Sequence, residues 1–144
     1  MNTLKKSIIV KVPLEQVYQY IDNPATILEY WPSMIDIRDI QPLPNGGHKF
    51  HWTYKMAGMH MEGTSEDIEY IPRQKVVSKG TGGIDSLITI TLEPADSGTR
   101  VEWMFEYTIP LPAIGRLAEA VIVKLNEQEL NLILINIKTR LEAG

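Results

Sequence analysis

The sequence predicts an α+β domain in which one antiparallel sheet packs against a long C-terminal helix. Two observations favour this class. Between Ile35 and Ile109 the chain consists of strand-length segments separated by five short turns. From about Pro112 to Glu142 apolar residues instead recur every three or four positions, as they do along one side of a helix. The sequence has no repeat, linker or low-complexity stretch, so a single domain over residues 1–144 is expected.

One strand and two short helices precede the main group of strands. Residues 4–12 alternate as in a half-buried strand, with one face formed by Leu4, Ile8, Val10 and Val12. Pro13 suits the first position of a helix, which continues to Asp22. Asn23 followed by Pro24 favours the start of a second short helix, and Pro32 ends it.

Five turns divide the central segment into six further strands. The turns fall at residues 44–47, 57–58, 72–73, 80–83 and 96–98. Connections this short join antiparallel neighbours, because a parallel crossover needs a dozen or more residues. We therefore expect a meander. A final helix of roughly 30 residues, rising 1.5 Å per residue, would be about 45 Å long and could lie across the whole sheet.

Strand alternation places large aromatic and thioether side chains on the sheet face that meets the helix. That face is predicted to carry Phe50, Trp52, Tyr54 and Met56, then Met59, Met61 and Gly63, then Ile84, Ser86, Ile88, Ile90 and Leu92, and finally Val101, Trp103, Phe105, Tyr107 and Ile109. Such a face either packs solidly or surrounds a cavity. Buried indole and phenol groups need polar partners, Gly63 and Ser86 are small, and methionine adapts to variable apolar partners. These details favour a cavity.

Composition and charge exclude several classes of function. The 144 residues include 14 Lys and Arg against 18 Asp and Glu, for a net charge of -4. Basic residues are scattered singly, so no nucleic-acid partner is expected. No apolar run approaches the roughly 20 residues of a transmembrane segment. The absence of cysteine removes disulfides and thiolate chemistry, and a cytoplasmic location is expected.

Conventional catalytic patterns are scarce. Alternation places His51 and His60 on the outer face, and no metal site or other cofactor is predicted. The carboxylates Glu62, Glu66, Asp67 and Glu69 are interpreted as a solvated outer face. Residues 80–83 form a hairpin turn rather than a phosphate loop. Asn126 could reach the rim of a pocket. Candidates for catalysis, each without an activating base, are Tyr54, Ser86 and Tyr107.

Several segments, taken in order, resemble a known family. They are residues 20–24, 28–32, 46–47, 56–59, 69–73, 82–85 and 98–101, followed by the Leu-rich terminal helix. Together they are similar to the START-like (SRPBCC) superfamily, in particular its polyketide cyclase/dehydrase and lipid transport family. The resemblance implies a helix-grip fold: a seven-stranded antiparallel sheet wrapped around a long C-terminal helix, with two short helices after strand 1. It also implies a hydrophobic tunnel, with Trp31 near the entrance and Ile114, Leu117 and Val121 on the helix side.

The sequence therefore predicts a carrier or sensor that binds a small hydrophobic ligand, such as a lipid or polyketide, in a cavity between sheet and helix. The expected ligand-binding residues are Trp31, Trp52, Tyr54, Met56, Met61, Ile88, Trp103, Phe105, Tyr107, Leu117 and Val121. Two alternatives stay open. One is a polyketide cyclase or dehydratase that uses the same pocket, and the other is a protein-interaction module, which needs an exposed apolar patch. Either a monomer or a homodimer is compatible with the sequence.

Overall fold

The computed structural model describes residues 2–56, 58–82, 85–108 and 116–144, with the backbone alone at residues 56, 59 and 116–118. Seven strands and three α-helices follow one another along these residues, with a 3₁₀ turn at Pro24–Thr26 between the first two helices. The elements are β1 (Asn2–Val10), α1 (Leu14–Asp22), α2 (Ile27–Tyr30), β2 (Met34–Pro42), β3 (His48–Met56), β4 (Met59–Ile71), β5 (Lys75–Gly82), β6 (Ser86–Ala95), β7 (Gly98–Tyr107) and α3 (Arg116–Glu142).

The strands form one antiparallel sheet in the order β1-β7-β6-β5-β4-β3-β2. Strands β2 to β7 are a meander because each pairs with the next along the chain. The first strand returns to pair with the last, from Asn2 opposite Tyr107 to Val10 opposite Thr99. The predicted α+β helix-grip fold is confirmed, including the seven antiparallel strands, the two short helices after β1 and the long C-terminal helix.

Some element boundaries differ from those predicted. Helix α1 begins at Leu14, so Pro13 precedes the helix, and no side chain caps its first turn. Asn23 does accept a hydrogen bond from the Ala25 N–H at 3.1 Å, as expected for the start of the second helical segment. Residues 80–82 belong to β5, where Gly82 pairs with Gly63. The predicted start of the last helix lies outside the described residues.

Helix α3 packs on the inner face of the sheet through a stripe of apolar residues. Its most buried members are Ile122, Leu130, Ile133, Leu134 and Ile137, which have at most 3 % of their surface exposed. The end of the helix is held to the β1–α1 connection, because the Lys11 N–H donates to the Glu142 carboxylate at 2.8 Å. No helix among the described residues combines the length and apolar character needed to span a bilayer.

Candidate functional site

A cavity of about 130 Å³ lies between the inner face of the sheet, the two short helices and α3. Along β6 it extends from Ser86 to Leu92, a distance of six residue steps or about 20 Å. The walls are mostly aromatic and aliphatic, and include Trp31, Phe50, Trp52, Tyr54, Met61, Ile88, Ile90, Trp103 and Phe105. The cavity is therefore long, narrow and apolar.

The aromatic side chains of the walls contact one another. The indole of Trp31 meets Trp103 and Phe105 edge to face, at centroid distances of 5.9 and 6.4 Å. Trp52 meets Tyr54 in the same way at 6.4 Å. Gly63 allows Trp52 to lie over the neighbouring strand, because a Cβ at residue 63 would come within 2.4 Å of the indole. Small residues thus shape the walls as much as large ones do.

At one end of the cavity, the aromatic rings enclose the polar side chain of Asn126. We call this part of the cavity the Asn126 end and define it by Tyr54, Tyr107 and Asn126. Asn126 is only 5 % exposed, and its Oδ1 accepts a hydrogen bond from the Tyr54 hydroxyl at 3.3 Å. Burial raises the pKa of both Tyr54 and Tyr107, while the nearby Asn126 amide partly offsets this rise for Tyr107. Both phenols are therefore neutral at physiological pH.

The Tyr107 hydroxyl is buried at this end without a hydrogen bond to any described residue. The ring stacks on Phe105 at a centroid distance of 4.8 Å. Tyr107 was predicted to bind ligand, but it is not among the described lining residues and lies behind Phe105. A buried hydroxyl without a partner costs free energy.

Glu129 lies one helical turn beyond Asn126 and borders a second, much smaller cavity together with Trp31, Tyr54 and Asn126. The Ser33 N–H donates to its carboxylate at 3.2 Å, and the Ser33 hydroxyl donates to the other oxygen. Burial raises the pKa of Glu129, and the hydrogen bonds from Ser33 partly offset that rise. The carboxylate joins α3 to the start of β2 and contributes negative charge near the Asn126 end.

The opposite end, which we call the Arg73 end, is formed by α1 and the β4–β5 turn and is defined by Tyr18, Asp22, Tyr70 and Arg73. The Tyr70 hydroxyl donates to Asp22 at 2.8 Å and is hydrogen-bonded to the Tyr18 hydroxyl. The Arg73 guanidinium lies 5.1 Å from the Tyr18 ring centroid and pairs with Glu15 at 2.6 Å. These contacts connect helix α1 to the edge of the cavity.

Asp67 corrects one prediction about the outer face. It was grouped with three exposed carboxylates, but it is 8 % exposed and lines the cavity. Its two oxygens accept hydrogen bonds from the His48 N–H at 2.8 Å and the Ser78 hydroxyl at 2.5 Å. Asp67 has the same strand parity as the lining residues Met61 and Ser65, and the register shift of β4 comes only after it, between Asp67 and Glu69. The carboxylate is therefore occupied in holding strands together.

The structure brings most of the predicted ligand-binding residues together. Around the cavity lie Trp31, Trp52, Tyr54, Met61, Ile88, Trp103 and Phe105, together with the catalytic candidate Ser86 and with Asn126. Trp31 is part of the inner wall, with only 7 % of its surface exposed. The side chains of Met56 and Leu117, and the whole of Ile114, lie outside the described part of the chain.

Val121 is a second correction. It was predicted to line the helix side, but it is 57 % exposed. The buried face of α3 passes through Ile122, Asn126 and Leu130, which are spaced four residues apart. One residue along a helix turns the side chain by about 100°, so Val121 points away from that face.

The sequence interpretation missed the residues of the Arg73 end. Tyr18 and Asp22 come from α1, and Tyr70 and Arg73 follow the irregular part of β4. Simple alternation along β4 fails there because the register shifts. The pairing of Glu15 with Arg73 links residues 58 positions apart, for which the sequence carries no local pattern.

The fold and cavity define a helix-grip domain with an enclosed apolar space. Residues 1–142 match the model of the family described as polyketide cyclase / dehydrase and lipid transport, and the chain belongs to this family. A search of curated proteins found no significant match.

Solved structures with the same fold are similar over almost the whole chain. TTHA0849 from Thermus thermophilus is 17% identical with a TM-score of 0.86, and the match covers 99% of this chain and 98% of that one. The ZhuI aromatase/cyclase from Streptomyces sp. R1128 is 14% identical with a TM-score of 0.76, over 97% and 95% of the two chains. The di-domain StfQ of the steffimycin pathway is 15% identical with a TM-score of 0.77, over 95% of this chain and 49% of that one.

Proposed function

We propose that the protein binds a small apolar molecule in the cavity between the sheet and α3, as a carrier or sensor. The observation that supports this most is the cavity of about 130 Å³ walled by aromatic and aliphatic side chains. A dry cavity of about 150 Å³ lined by Leu, Ile and Phe is large enough for benzene. The space therefore suits a molecule with a single ring or a short chain.

A binding role is favoured over turnover by the make-up of the cavity wall. No histidine is among the described lining residues, and the Tyr54 hydroxyl is engaged by Asn126. Of the lining carboxylates, Asp22 already accepts a hydrogen bond from Tyr70. The carboxylate of Asp67 is occupied by His48 and Ser78. Nucleophilic or acid–base catalysis would need a group within hydrogen-bond reach that takes up a proton.

Titration with ethylbenzene tests this proposal, with tryptophan fluorescence as the measurement, since three indoles line the cavity. Ile88→Phe adds bulk at the wall, whereas Ile68→Phe adds the same bulk at a side chain that is 49 % exposed. We expect saturable binding to the wild type and to Ile68→Phe, and an affinity at least about tenfold lower for Ile88→Phe, since a filled cavity excludes the ligand. Absence of saturable binding to a folded wild type would contradict the proposal.

A polyketide cyclase or dehydratase is the second candidate. It is supported by the aromatase/cyclase structures that share the fold, ZhuI and StfQ, and by the polar Tyr54–Asn126 pair inside the cavity. Mass spectrometry of a poly-β-ketone analogue incubated with the protein tests it. Ring closure faster than in buffer, and its loss in Tyr54→Phe, would favour this function. A rate equal to that in buffer would contradict this second function and leave binding as the only role.

One further observation favours an interaction role. On the outer side of α3, Val121, Leu125, Leu132 and Ile135 form an exposed apolar stripe, with exposed fractions of 57%, 39%, 47% and 51%. Self-association through this stripe is tested by light scattering after size-exclusion chromatography. A dimer in the wild type and a monomer in Leu132→Glu would support it, and a monomeric wild type would argue against it.

A further inference from the structure

We propose that the molecule held in the cavity is uncharged and carries a hydroxyl or carbonyl oxygen, which is bound at the Asn126 end. This inference rests on the proposed function and narrows it to a class of ligand. Three features of the cavity support it: the buried Asn126 amide in its wall, the sign of the nearby charge, and the position of the basic side chains.

The Asn126 amide can still donate to a ligand. Its Oδ1 accepts from Tyr54. Its Nδ2 has two N–H groups, and the Tyr107 hydroxyl beside it can accept from one of them. No hydrogen bond among the described residues uses the other N–H. A buried polar group is normally hydrogen-bonded, so a ligand oxygen placed here would accept from the Asn126 amide.

Nearby charge disfavours an anion at the same place. Glu129 is one turn from Asn126, and its negative charge contributes to the raised pKa of Tyr54. No lysine or arginine is among the described lining residues of this end. A carboxylate would lose its hydration, gain no cation and be repelled by Glu129.

The basic side chains that line the cavity lie at the other end. They are Arg73 and Lys75, which pair with Glu15 at 2.6 Å and Glu69 at 3.5 Å respectively. An anionic ligand would have to place its charge there and leave the donors at the Asn126 end unpaired. An uncharged molecule with one oxygen instead satisfies the polar end and leaves the rest of its surface to the apolar walls.

Three probes with a common skeleton test the inference by calorimetry: ethylbenzene, 4-ethylphenol and 4-ethylbenzoate at pH 7. The ratio of the affinity for 4-ethylphenol to the affinity for ethylbenzene measures what the hydroxyl oxygen contributes to binding. We expect this ratio to fall about tenfold in Asn126→Leu, since a hydroxyl left unpaired in the cavity loses that much. The matched control Asn131→Leu, exposed on the same helix, keeps the wild-type ratio. We expect 4-ethylbenzoate to bind at least about tenfold more weakly than 4-ethylphenol.

Tyr107→Phe provides a second variant that removes one hydroxyl and keeps the ring stacked on Phe105. The Tyr107 hydroxyl lies beside the Asn126 amide and orients it, so the ratio is expected to fall about threefold in this variant. This effect is measurable even where Asn126→Leu does not fold. An unchanged ratio in both folded variants, or 4-ethylbenzoate binding as tightly as 4-ethylphenol, would overturn the inference while the proposed function stands. Failure of ethylbenzene and 4-ethylphenol alike to bind would overturn both.

Discussion

The two ends of the cavity differ in burial, charge and origin. The Asn126 end is enclosed, neutral in its lining, and built from one residue of α3 and the inner faces of β3 and β7. The Arg73 end is partly exposed, carries both charge signs, and is built from α1 and the β4–β5 turn. Polar groups in the enclosed end are costly unless paired, whereas those at the exposed end have water as an alternative. The comparison shows where ligand specificity and stability should respond to substitution.

The largest expected effect is that of a charge introduced at the Asn126 end. Asn126→Asp places a carboxylate at a side chain that is 5 % exposed, one turn from Glu129. We expect the free energy of unfolding to fall by about 3 kcal/mol at pH 7, since a buried carboxylate with no cation beside it and with Glu129 nearby is destabilising. Urea denaturation measures this. The exposed control Asn131→Asp should differ from wild type by less than about 0.5 kcal/mol, and equal stabilities for both variants would contradict the comparison.

At the Arg73 end, Tyr70→Phe should have a smaller effect. It removes the hydroxyl that donates to Asp22 at 2.8 Å and bonds to Tyr18. Burial, followed by these two hydrogen bonds, raises the pKa of Tyr70. We expect a loss of about 1 kcal/mol in urea denaturation. A loss as large as that of Asn126→Asp would show that the two ends are equally enclosed.

The enclosed character of the Asn126 end should also appear in the pH dependence of stability. Burial raises the pKa of Glu129 above the ordinary value of 4.5. Protonation therefore favours the folded state. The stabilisation is complete below the unfolded pKa and is lost as pH rises through the folded pKa. The stability of wild type relative to Glu129→Gln should fall as pH increases, by less than about 1.4 kcal/mol per pH unit. Urea denaturation at a series of pH values checks this, and the opposite slope would contradict it.

The smallest effect is expected for Arg73→Ala. Its ion pair with Glu15 is exposed on both sides, with side-chain exposures of 54% and 48%. Such pairs contribute about 0–1 kcal/mol, so the free energy of unfolding should change by less than about 0.5 kcal/mol. The affinity for 4-ethylphenol should stay within about twofold of wild type. A tenfold loss of affinity in calorimetry would mean that the ligand oxygen lies at the Arg73 end.

The difference between the ends also explains what the sequence could predict. Strand alternation identifies the walls, such as Trp52, Ile88 and Trp103, because side-chain direction on a regular strand depends only on parity. It fails beyond Asp67, where the register shift in β4 turns Tyr70 toward the cavity instead of Glu69. The phase of α3 is also hard to predict, because apolar residues such as Val121, Leu125 and Leu132 occupy its outer side as well. Contacts of the Arg73 end join distant segments, as Glu15 and Arg73 do, and local patterns carry no information about them.

A crystal structure of the complex with 4-ethylphenol tests the central claim most directly. We predict the ring inside the cavity among Trp31, Trp103 and Phe105, with its oxygen about 2.7–3.2 Å from a polar atom of Asn126. The ethyl group should point toward the Arg73 end. A phenol oxygen bound at Arg73 or Asp22, or a molecule bound only outside the cavity, would contradict the account.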